Sequence, residues 1–303
     1  MTKGFLLLRR VVLSLLAVGV LFGFGLCAAV LAVGLKLSSP APAFIGRPPP
    51  SLLGAEAVEI PSASGSVLHG WWVPATSSGR GAVVLLHGVW ENRLRMAPRA
   101  RVLHQHGFSV LLIDLQAHGE SPGRRITFGK LEGLDAAATV AFVRGRVPAE
   151  RVGAIGVSLG GAATLLGPAP LPVDALVLES VYPDIDAALA NRLRAGLGRV
   201  VGPLLTPMLA PVFKHLLPPL LGVTPGELRP IDRIGSVGVP TLVASGAIDD
   251  RTPLNEAQAL FDHAPDPKRF WAVQGAAHID LERHNPDQYW ANILPFLTQN
   301  LHR

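Results

Sequence analysis

The sequence predicts an open α/β domain, with a mostly parallel sheet flanked by helices, that follows one N-terminal transmembrane helix. Three observations predict this class. A long uncharged apolar run stands at the N-terminus. Further on, short runs of Val, Leu, Ile and Ala alternate with longer amphipathic segments, as is typical of parallel strands with helices on both faces. A stretch of about sixty residues rich in Leu, Pro and Gly interrupts the alternation and predicts an inserted helical cap.

Composition limits the partners that we expect. The chain has 303 residues and a formal net charge of +5, and its basic residues are scattered rather than clustered. A nucleic-acid partner is therefore not expected. The single cysteine, Cys27, excludes an intrachain disulfide and a thiolate metal site. Composition leaves the oligomeric state open.

The N-terminal run predicts a membrane anchor. No charged residue lies between Arg10 and Lys36, and this interval exceeds the ~20 apolar residues that a helix needs to cross a bilayer. We predict a cytoplasmic N-terminus over 1–10 and a transmembrane anchor over 11–35. Three basic residues precede the anchor, which favours a single-pass protein with an extracytoplasmic body. A cleaved signal peptide, with the sequence APA at 41–43 as its cleavage site, is the alternative.

The remaining chain divides into a linker and a body. Residues 36–55 are Pro-rich and predict a spacer that holds the body off the membrane. The body spans 56–303, with the cap insertion at about 183–232. Its first two strands are predicted within 57–75, joined by a Ser/Gly turn. Further strands are predicted at 82–87, 109–114, 151–157, 173–179, 240–246 and 269–275. Helices are predicted around 94–106, 129–145, 159–166, 253–263 and 286–301.

The segment GVSLG carries the first chemical signal. It places Ser158 between Gly156 and Gly160, after a predicted strand and before a predicted helix. A serine nucleophile needs a sharp turn that holds its hydroxyl clear of the backbone, and small residues two positions away on either side allow that turn. The helix N-terminus also favours negative charge. A purely structural glycine turn is the alternative interpretation.

Candidates for the base and the acid follow later strands. His278 follows the last strand, and Asp249 and Asp250 follow the strand before it. Both strands end at the carboxyl edge of the sheet, where active sites of open α/β proteins collect. His284 is an alternative base. Glu179, at the end of another strand, is an alternative acid. The chain order of serine, acid and histidine is the order used by nucleophile-elbow hydrolases.

Two backbone amides are candidates for binding an oxyanion. One belongs to Leu159, the residue after the serine. The other lies in the loop after the strand at 82–87, where Gly88 allows a tight turn and Val89 or Trp90 supplies the amide. His87, at the end of that strand, is interpreted as a residue that orders the loop.

Five segments in this order resemble the α/β-hydrolase superfamily: LLHGVWENR, LLIDLQAHGES, IGVSLGG, SGAIDDRTP and GAAHIDL. The resemblance is strongest to bacterial membrane-anchored hydrolases of the serine-aminopeptidase-like (S33) and Bem46-like groups. In this superfamily the acid stands three residues after a glycine and four before a proline. Gly246, Asp249 and Pro253 fit this pattern. Trp90 departs from the pattern, because it is a bulky aromatic in the oxyanion loop, which either narrows the acyl pocket or lines it and leaves the pocket shape open.

The resemblance implies acyl transfer through a covalent intermediate. Ser158 attacks a carbonyl carbon, His278 takes the serine proton and Asp249 orients the histidine. The amides of Leu159 and Val89 bind the oxyanion, and no metal or organic cofactor is required. We expect a serine hydrolase of carboxylic esters that acts on small acyl or lipid-like substrates. A peptidase or aminopeptidase with the same triad is one alternative, and a non-catalytic membrane-tethered binding protein on a hydrolase scaffold is another.

Overall fold

An eight-stranded sheet forms the centre of the body in the computed structural model, which describes residues 3–77, 79–278 and 281–302. The strands are β1 (Ala41–Pro42), β2 (Glu56–Pro61), β3 (Val67–Val73), β4 (Ala82–Leu86), β5 (Ser109–Ile113), β6 (His118–Gly119), β7 (Val152–Val157), β8 (Ala175–Glu179), β9 (Thr241–Gly246) and β10 (Lys268–Val273). The helices are α1 (Lys3–Leu37), α2 (Ala97–Gln105), α3 (Lys130–Arg146), α4 (Leu159–Leu165), α5 (Ile185–Leu221), α6 (Pro230–Ile234), α7 (Leu254–His263), α8 (Leu281–His284) and α9 (Pro286–Leu301).

The order of strands in the large sheet is β10-β9-β8-β7-β4-β5-β3-β2. All neighbours from β10 to β5 pair in parallel, whereas β3 pairs antiparallel with both β5 and β2. Every residue of β4, β5 and β8 is buried, which explains why these strands read as continuous apolar runs. The predicted mostly parallel sheet is confirmed, and its predicted strands agree with the observed ones to within a few residues.

Helices cover both faces of the sheet. On one face, Val140 of α3, Ala162 of α4 and Leu260 of α7 belong to one buried apolar cluster. On the other face, Leu103 of α2 and Ile293 of α9 belong to a second cluster. Full burial of a large aliphatic side chain contributes about 1.5–3 kcal/mol. The two clusters therefore fix the sheet, and with it the position of the loops at the carboxyl ends of the strands.

The N-terminal helix α1 contacts the inserted helix α5. Its segment Leu8–Leu37 is long and apolar enough to cross a membrane, and only 6% of its most apolar stretch is buried. A signal sequence meets the same criteria of length and composition. Near its C-terminal end, Leu26 and Val30 pack in one small apolar cluster with Phe213 of α5. The anchor over 11–35 and its topology remain predictions.

Part of the predicted spacer is attached to the body. The two residues of β1 pair in parallel with β6. The carboxylate of Glu120 accepts hydrogen bonds from the backbone amides of Ile45 at 3.0 Å and Gly46 at 2.9 Å. The backbone amide of Ile126 donates to the carbonyl of Ser38 at 2.9 Å. These bonds attach the start of the segment 36–55 to the body.

The helix α5 forms most of the insertion predicted at about 183–232. It is broken at Gly198, whose φ of 78° and ψ of 173° are not helical. A left-handed φ of this kind favours glycine, because a Cβ atom would clash with the backbone. The second half exposes apolar side chains, with 78% of Val200, 70% of Leu204 and 61% of Met208 accessible.

The turn between β7 and α4 packs directly on neighbouring backbone. A Cβ atom added at Gly160 would lie 2.3 Å from the carbonyl oxygen of Leu86 on β4, and one at Gly156 would lie 2.5 Å from the Cα of Gly161. These obstacles are backbone atoms of the sheet and the helix, which cannot rotate away. Glycine is therefore required by close approach at both positions.

We expect Gly160→Ala to lower the free energy of unfolding by about 1–3 kcal/mol, the usual range for overpacking a rigid interior. Gly145→Ala is the matched control, because Gly145 lies inside α3 with nothing within 4 Å of an added Cβ. That change should stabilise the protein by about 0.5–1 kcal/mol, since alanine favours helices over glycine. Thermal unfolding of both variants in detergent measures the difference. Equal midpoints would show that the turn tolerates a side chain.

Candidate active site

Ser158 lies at the point where β7 turns into α4. Its φ of 50° and ψ of −108° are sparsely populated for a residue with a side chain. The surrounding backbone holds this conformation, because the Ser158 amide donates to the carbonyl of Glu179 at 2.8 Å and its carbonyl accepts from the Ala162 amide at 2.9 Å. The residue is 5% exposed. The turn therefore presents the hydroxyl outside the regular hydrogen bonding of strand and helix.

His278 and Asp249 are hydrogen bonded to each other. The distance from His278 Nδ1 to Asp249 Oδ2 is 2.8 Å, and the aspartate side chain is fully buried. The other carboxylate oxygen accepts from the backbone amides of Arg251 at 2.9 Å and Thr252 at 2.8 Å. These bonds fix the carboxylate and place the proton of the neutral imidazole on Nδ1, which leaves Nε2 as the atom that accepts protons.

Ser158 and His278 line one cavity, which we term the polar cavity. Its volume is about 720 Å³, and it lies beside the loop that follows β4. Arginine side chains give it a basic wall. The lining residues with polar or charged side chains are Glu91, Arg95, Arg99, Ser158, Ser180, Arg251 and His278.

A second cavity, of about 730 Å³, lies on the other side of Ser158. We term it the apolar cavity, because most of its lining is hydrocarbon. Three parts of the chain build it. The body contributes Val89, Phe128 and Leu159, α5 contributes Ile185, Leu189, Phe213 and Leu221, and the end of α1 contributes Leu37. Ser158 thus lies at the boundary between a polar and an apolar space.

The two residues predicted to bind an oxyanion lie beside Ser158. Val89 lines both cavities, and Leu159 is the first residue of α4 and lines the apolar cavity. Trp90 has a left-handed φ of 60°, its side chain is 49% exposed, and it is not among the described residues that line either cavity.

The alternative acids have other surroundings. Glu179 is fully buried and accepts hydrogen bonds from Arg99 at 2.8 Å and from the Tyr289 hydroxyl at 2.5 Å. Burial raises the pKa of Tyr289 well above its usual value, so that the hydroxyl stays protonated as a donor. Asp250 is exposed to solvent. Of the candidates, the structure brings Asp249 to His278.

The alternative histidines also have other partners. Nε2 of His284 lies 3.2 Å from the carbonyl of Gln274 on an exposed part of the chain. His87 is fully buried and orders the loop after β4, as predicted. Its Nδ1 donates to the carbonyl of Gly88 at 2.7 Å, and its Nε2 accepts from the Leu115 amide at 3.0 Å. Desolvation by burial lowers the pKa of His87 to about 3, which keeps the ring neutral.

Sequence reasoning did not single out most of the residues that line the cavities, and Leu37 and Arg192 are two examples. Leu37 was assigned to the linker and Arg192 to the cap, yet both line the apolar cavity. No sequence pattern around either residue predicts its position at the cavity, because that position depends on how α1 and α5 pack over the body. Within the described residues, no group of three or more His, Cys, Asp or Glu side chains is arranged to hold a metal ion.

Comparison with known sequences identifies relatives. The family model for serine aminopeptidase, S33, matches residues 77–220. The uncharacterized protein Rv2307c of Mycobacterium tuberculosis is 33% identical over 228 residues, which cover 74% of this chain and 73% of that protein. The uncharacterized protein YfhR of Escherichia coli is 26% identical over 262 residues, which cover 83% of this chain and 84% of that protein.

Solved structures show the same fold. An esterase of Pyrococcus furiosus superposes with a TM-score of 0.70 at 23% identity, covering 87% of this chain and 98% of the esterase. An esterase of Exiguobacterium antarcticum has a TM-score of 0.57 at 14% identity, covering 80% of this chain and 99% of that one. At these identities the likeness establishes the fold alone. Together with the match to the serine aminopeptidase (S33) model and the 33% identical relative, it shows that this chain belongs to the α/β-hydrolase superfamily.

Proposed function

We propose that this α/β hydrolase cleaves carboxylic esters with apolar acyl groups, using Ser158, His278 and Asp249 through an acyl-enzyme intermediate. The main support is the position of Ser158, between an apolar cavity and a polar cavity that contains the histidine. The 2.8 Å bond between His278 Nδ1 and Asp249 orients the imidazole. This arrangement suits a nucleophile, a base and a group that orients the base.

The proposed reaction proceeds in two steps. Ser158 Oγ attacks the ester carbonyl carbon while His278 Nε2 takes the hydroxyl proton, and Asp249 stabilises the resulting imidazolium. The amides of Leu159 and Val89 donate to the oxyanion of the tetrahedral intermediate. The histidine gives its proton to the departing alcohol, which leaves an acyl group on the serine. Water then attacks the acyl-enzyme with the same proton transfers, releasing a carboxylic acid and free Ser158.

The cavities favour an ester over a peptide. Each methylene of an acyl chain buried in the apolar cavity contributes about 0.8 kcal/mol. The free amine of an aminopeptidase substrate would instead need an unpaired carboxylate. In the polar cavity, Oε1 of Glu91 lies 3.2 Å from Nε of Arg95. In the apolar cavity, Oδ2 of Asp186 lies 2.6 Å from Nζ of Lys214. Both acids that line the cavities are therefore already paired. Two of the structural relatives are named esterases, which agrees with a preference for esters.

The proposed setting is a membrane surface. The segment Leu8–Leu37 meets the length and hydropathy of a spanning helix, and basic residues precede it. By the charge bias of membrane proteins, the N-terminus is cytoplasmic and the body extracytoplasmic. An anchor of this kind keeps the apolar cavity near acyl-bearing molecules of the bilayer.

We expect Ser158→Ala to abolish covalent labelling by a fluorophosphonate and to lower kcat for a p-nitrophenyl ester by about 10³-fold or more. Ser180→Ala is the matched control, because Ser180 also lines the polar cavity and its buried hydroxyl has no hydrogen-bond partner among the described residues. Labelling should persist in the control. Loss of labelling only in the Ser180 variant would contradict the assignment of Ser158 as the nucleophile. Faster cleavage of aminoacyl nitroanilides than of p-nitrophenyl esters would favour the peptidase alternative.

We expect Leu37→Trp to shift the preferred acyl length toward shorter chains, because the larger side chain fills part of the apolar cavity. Loss of space for about two methylenes lowers kcat/KM for long relative to short p-nitrophenyl esters by about tenfold. Val33→Trp is the control on the same helix, since Val33 is 46% exposed and does not line this cavity. Identical chain-length profiles for both variants would show that Leu37 does not bound the acyl site.

A further inference from the structure

The inserted helix α5 folds back on itself as a hairpin. Ile185 and Leu221, at its two ends, both line the apolar cavity. The helix is broken between them, at Gly198. Beside the break the two halves are in close contact, because a Cβ atom added at Gly202 would lie 2.6 Å from the carbonyl oxygen of Arg194. The break therefore lies at the tip of a hairpin whose two ends meet at the apolar cavity.

The second half of this hairpin is apolar on two opposite faces. One face is turned inward, since Thr206 and Phe213 are buried. The other face carries Val200, Leu204 and Met208, which follow one another at the four-residue spacing of a single helix face and are mostly exposed. A helix that is apolar all round is typical of a protein interior or of a membrane. The outer face is therefore unsuited to water.

The inner side of the hairpin rests on α1. Leu26 and Val30 of α1 share one apolar cluster with Leu193 and Leu209 of α5. In the proposed membrane setting α1 crosses the bilayer, and Val30 stands twenty residues after Arg10. About 20 apolar residues span the hydrocarbon of a bilayer. The contact between the two helices therefore lies at the outer boundary of the hydrocarbon, and the outer face of α5 continues the apolar surface of α1.

The charge of the hairpin suits an anionic lipid surface. Residues 187–226 include four Lys or Arg residues and no Asp or Glu. Arg194, close to the tip, is exposed. A long basic side chain can bury its hydrocarbon stem at the lipid boundary and place its charge among the headgroups. A second copy of this chain on the same face would instead bring like charges together.

We propose that the hairpin tip, residues 194–208, lies in the boundary between the headgroups and the acyl chains of an anionic lipid bilayer, with Val200, Leu204 and Met208 toward the acyl chains. Amphipathic helices at this boundary bury their apolar face about 5–10 Å deep. The proposal rests on the proposed membrane setting of α1 and is independent of the ester hydrolysis. Both helices that line the apolar cavity then contact lipid.

The test measures the contact of single labels with lipid in the full-length protein, reconstituted in vesicles of phosphatidylcholine and phosphatidylglycerol. Cys27→Ser removes the one native cysteine. Leu204→Cys then carries the fluorophore nitrobenzoxadiazole. Lipids brominated on their acyl chains quench this fluorophore only by contact. We expect the label at position 204 to lose most of its emission when brominated lipids replace ordinary ones.

Two further label positions are controls. Val20→Cys reports on α1 itself, because Val20 is exposed in the middle of the apolar segment, and its label should also be quenched. Gln299→Cys lies near the opposite edge of the sheet, where the carbonyl of Asn300 accepts from Arg151, just before β7, at 3.0 Å. Gln299 is exposed, and its label should keep its emission.

A charge placed on the outer face should expel the tip from the lipid. With the label at Met208→Cys, we expect Leu204→Glu to lower the ratio of lipid-exposed to water-exposed label by about tenfold or more, since the burial of one leucine side chain is worth that factor. Leu204→Met is the matched control, because it keeps an apolar side chain of similar size. Its ratio should equal that of the unsubstituted protein with the same label.

The basic residue is tested with the same label at position 208. Arg194→Gln should lower the ratio by about fivefold in the anionic vesicles, as expected for one basic residue near an anionic surface, and leave it unchanged in phosphatidylcholine alone. An unchanged ratio in the anionic vesicles would contradict the contact of Arg194 with the headgroups.

The labels also separate the ways in which the proposal can fail. Quenching at position 20 without quenching at position 204 overturns it, whether the tip stands in water or is covered by a second copy, and the anchor then still holds. Absence of quenching at both positions removes the membrane setting as well. Fluorophosphonate labelling of Ser158 tests the catalytic proposal separately. Should Leu204→Glu fail to fold, the quenching at position 204 decides, because it needs no charged variant.

Discussion

The close packing of the β7–α4 turn on its neighbours is the constraint on which the rest of the site depends. Gly156 and Gly160 allow backbone to meet backbone, and the Ser158 amide is tied to the carbonyl of Glu179 on the adjacent strand. The serine is thereby fixed to two strands of the sheet instead of to a free loop. Asp249 and His278 follow the next two strands, so the same parallel register that orders the sheet also brings them near the serine.

Ser158 lies between two cavities of different chemical character. Hydrocarbon from the body, α5 and α1 surrounds one side, whereas arginines and the histidine surround the other. Next to the polar cavity, Arg99 and Tyr289 are hydrogen bonded to each other and to the buried carboxylate of Glu179. Ser158 is therefore the residue at which an apolar and a polar cavity meet.

The strands, most helices and the three proposed catalytic residues could be predicted because each has a local pattern. Apolar runs mark the buried strands, and the resemblance to the superfamily, through the spacing of Gly246, Asp249 and Pro253, favours Asp249 over Asp250. Features that depend on contacts distant in sequence could not be predicted. The pairing of β1 with β6 and the bonds of Glu120 to Ile45 and Gly46 join segments that carry no matching pattern. The partners of Glu179 are likewise visible only in three dimensions.

The contact between α1 and α5 has a consequence for the first helix. Leu37 lines the apolar cavity, and Val30 shares a buried cluster with Phe213. The helix is therefore constrained by shape at its C-terminal end as well as by its overall hydropathy. Replacing it with an unrelated apolar helix would keep the hydropathy of this segment but remove the contacts of Val30 with Phe213 and of Leu37 with the apolar cavity. A polypeptide trimmed of this helix accordingly has an apolar cavity with a different lining from that of the intact protein.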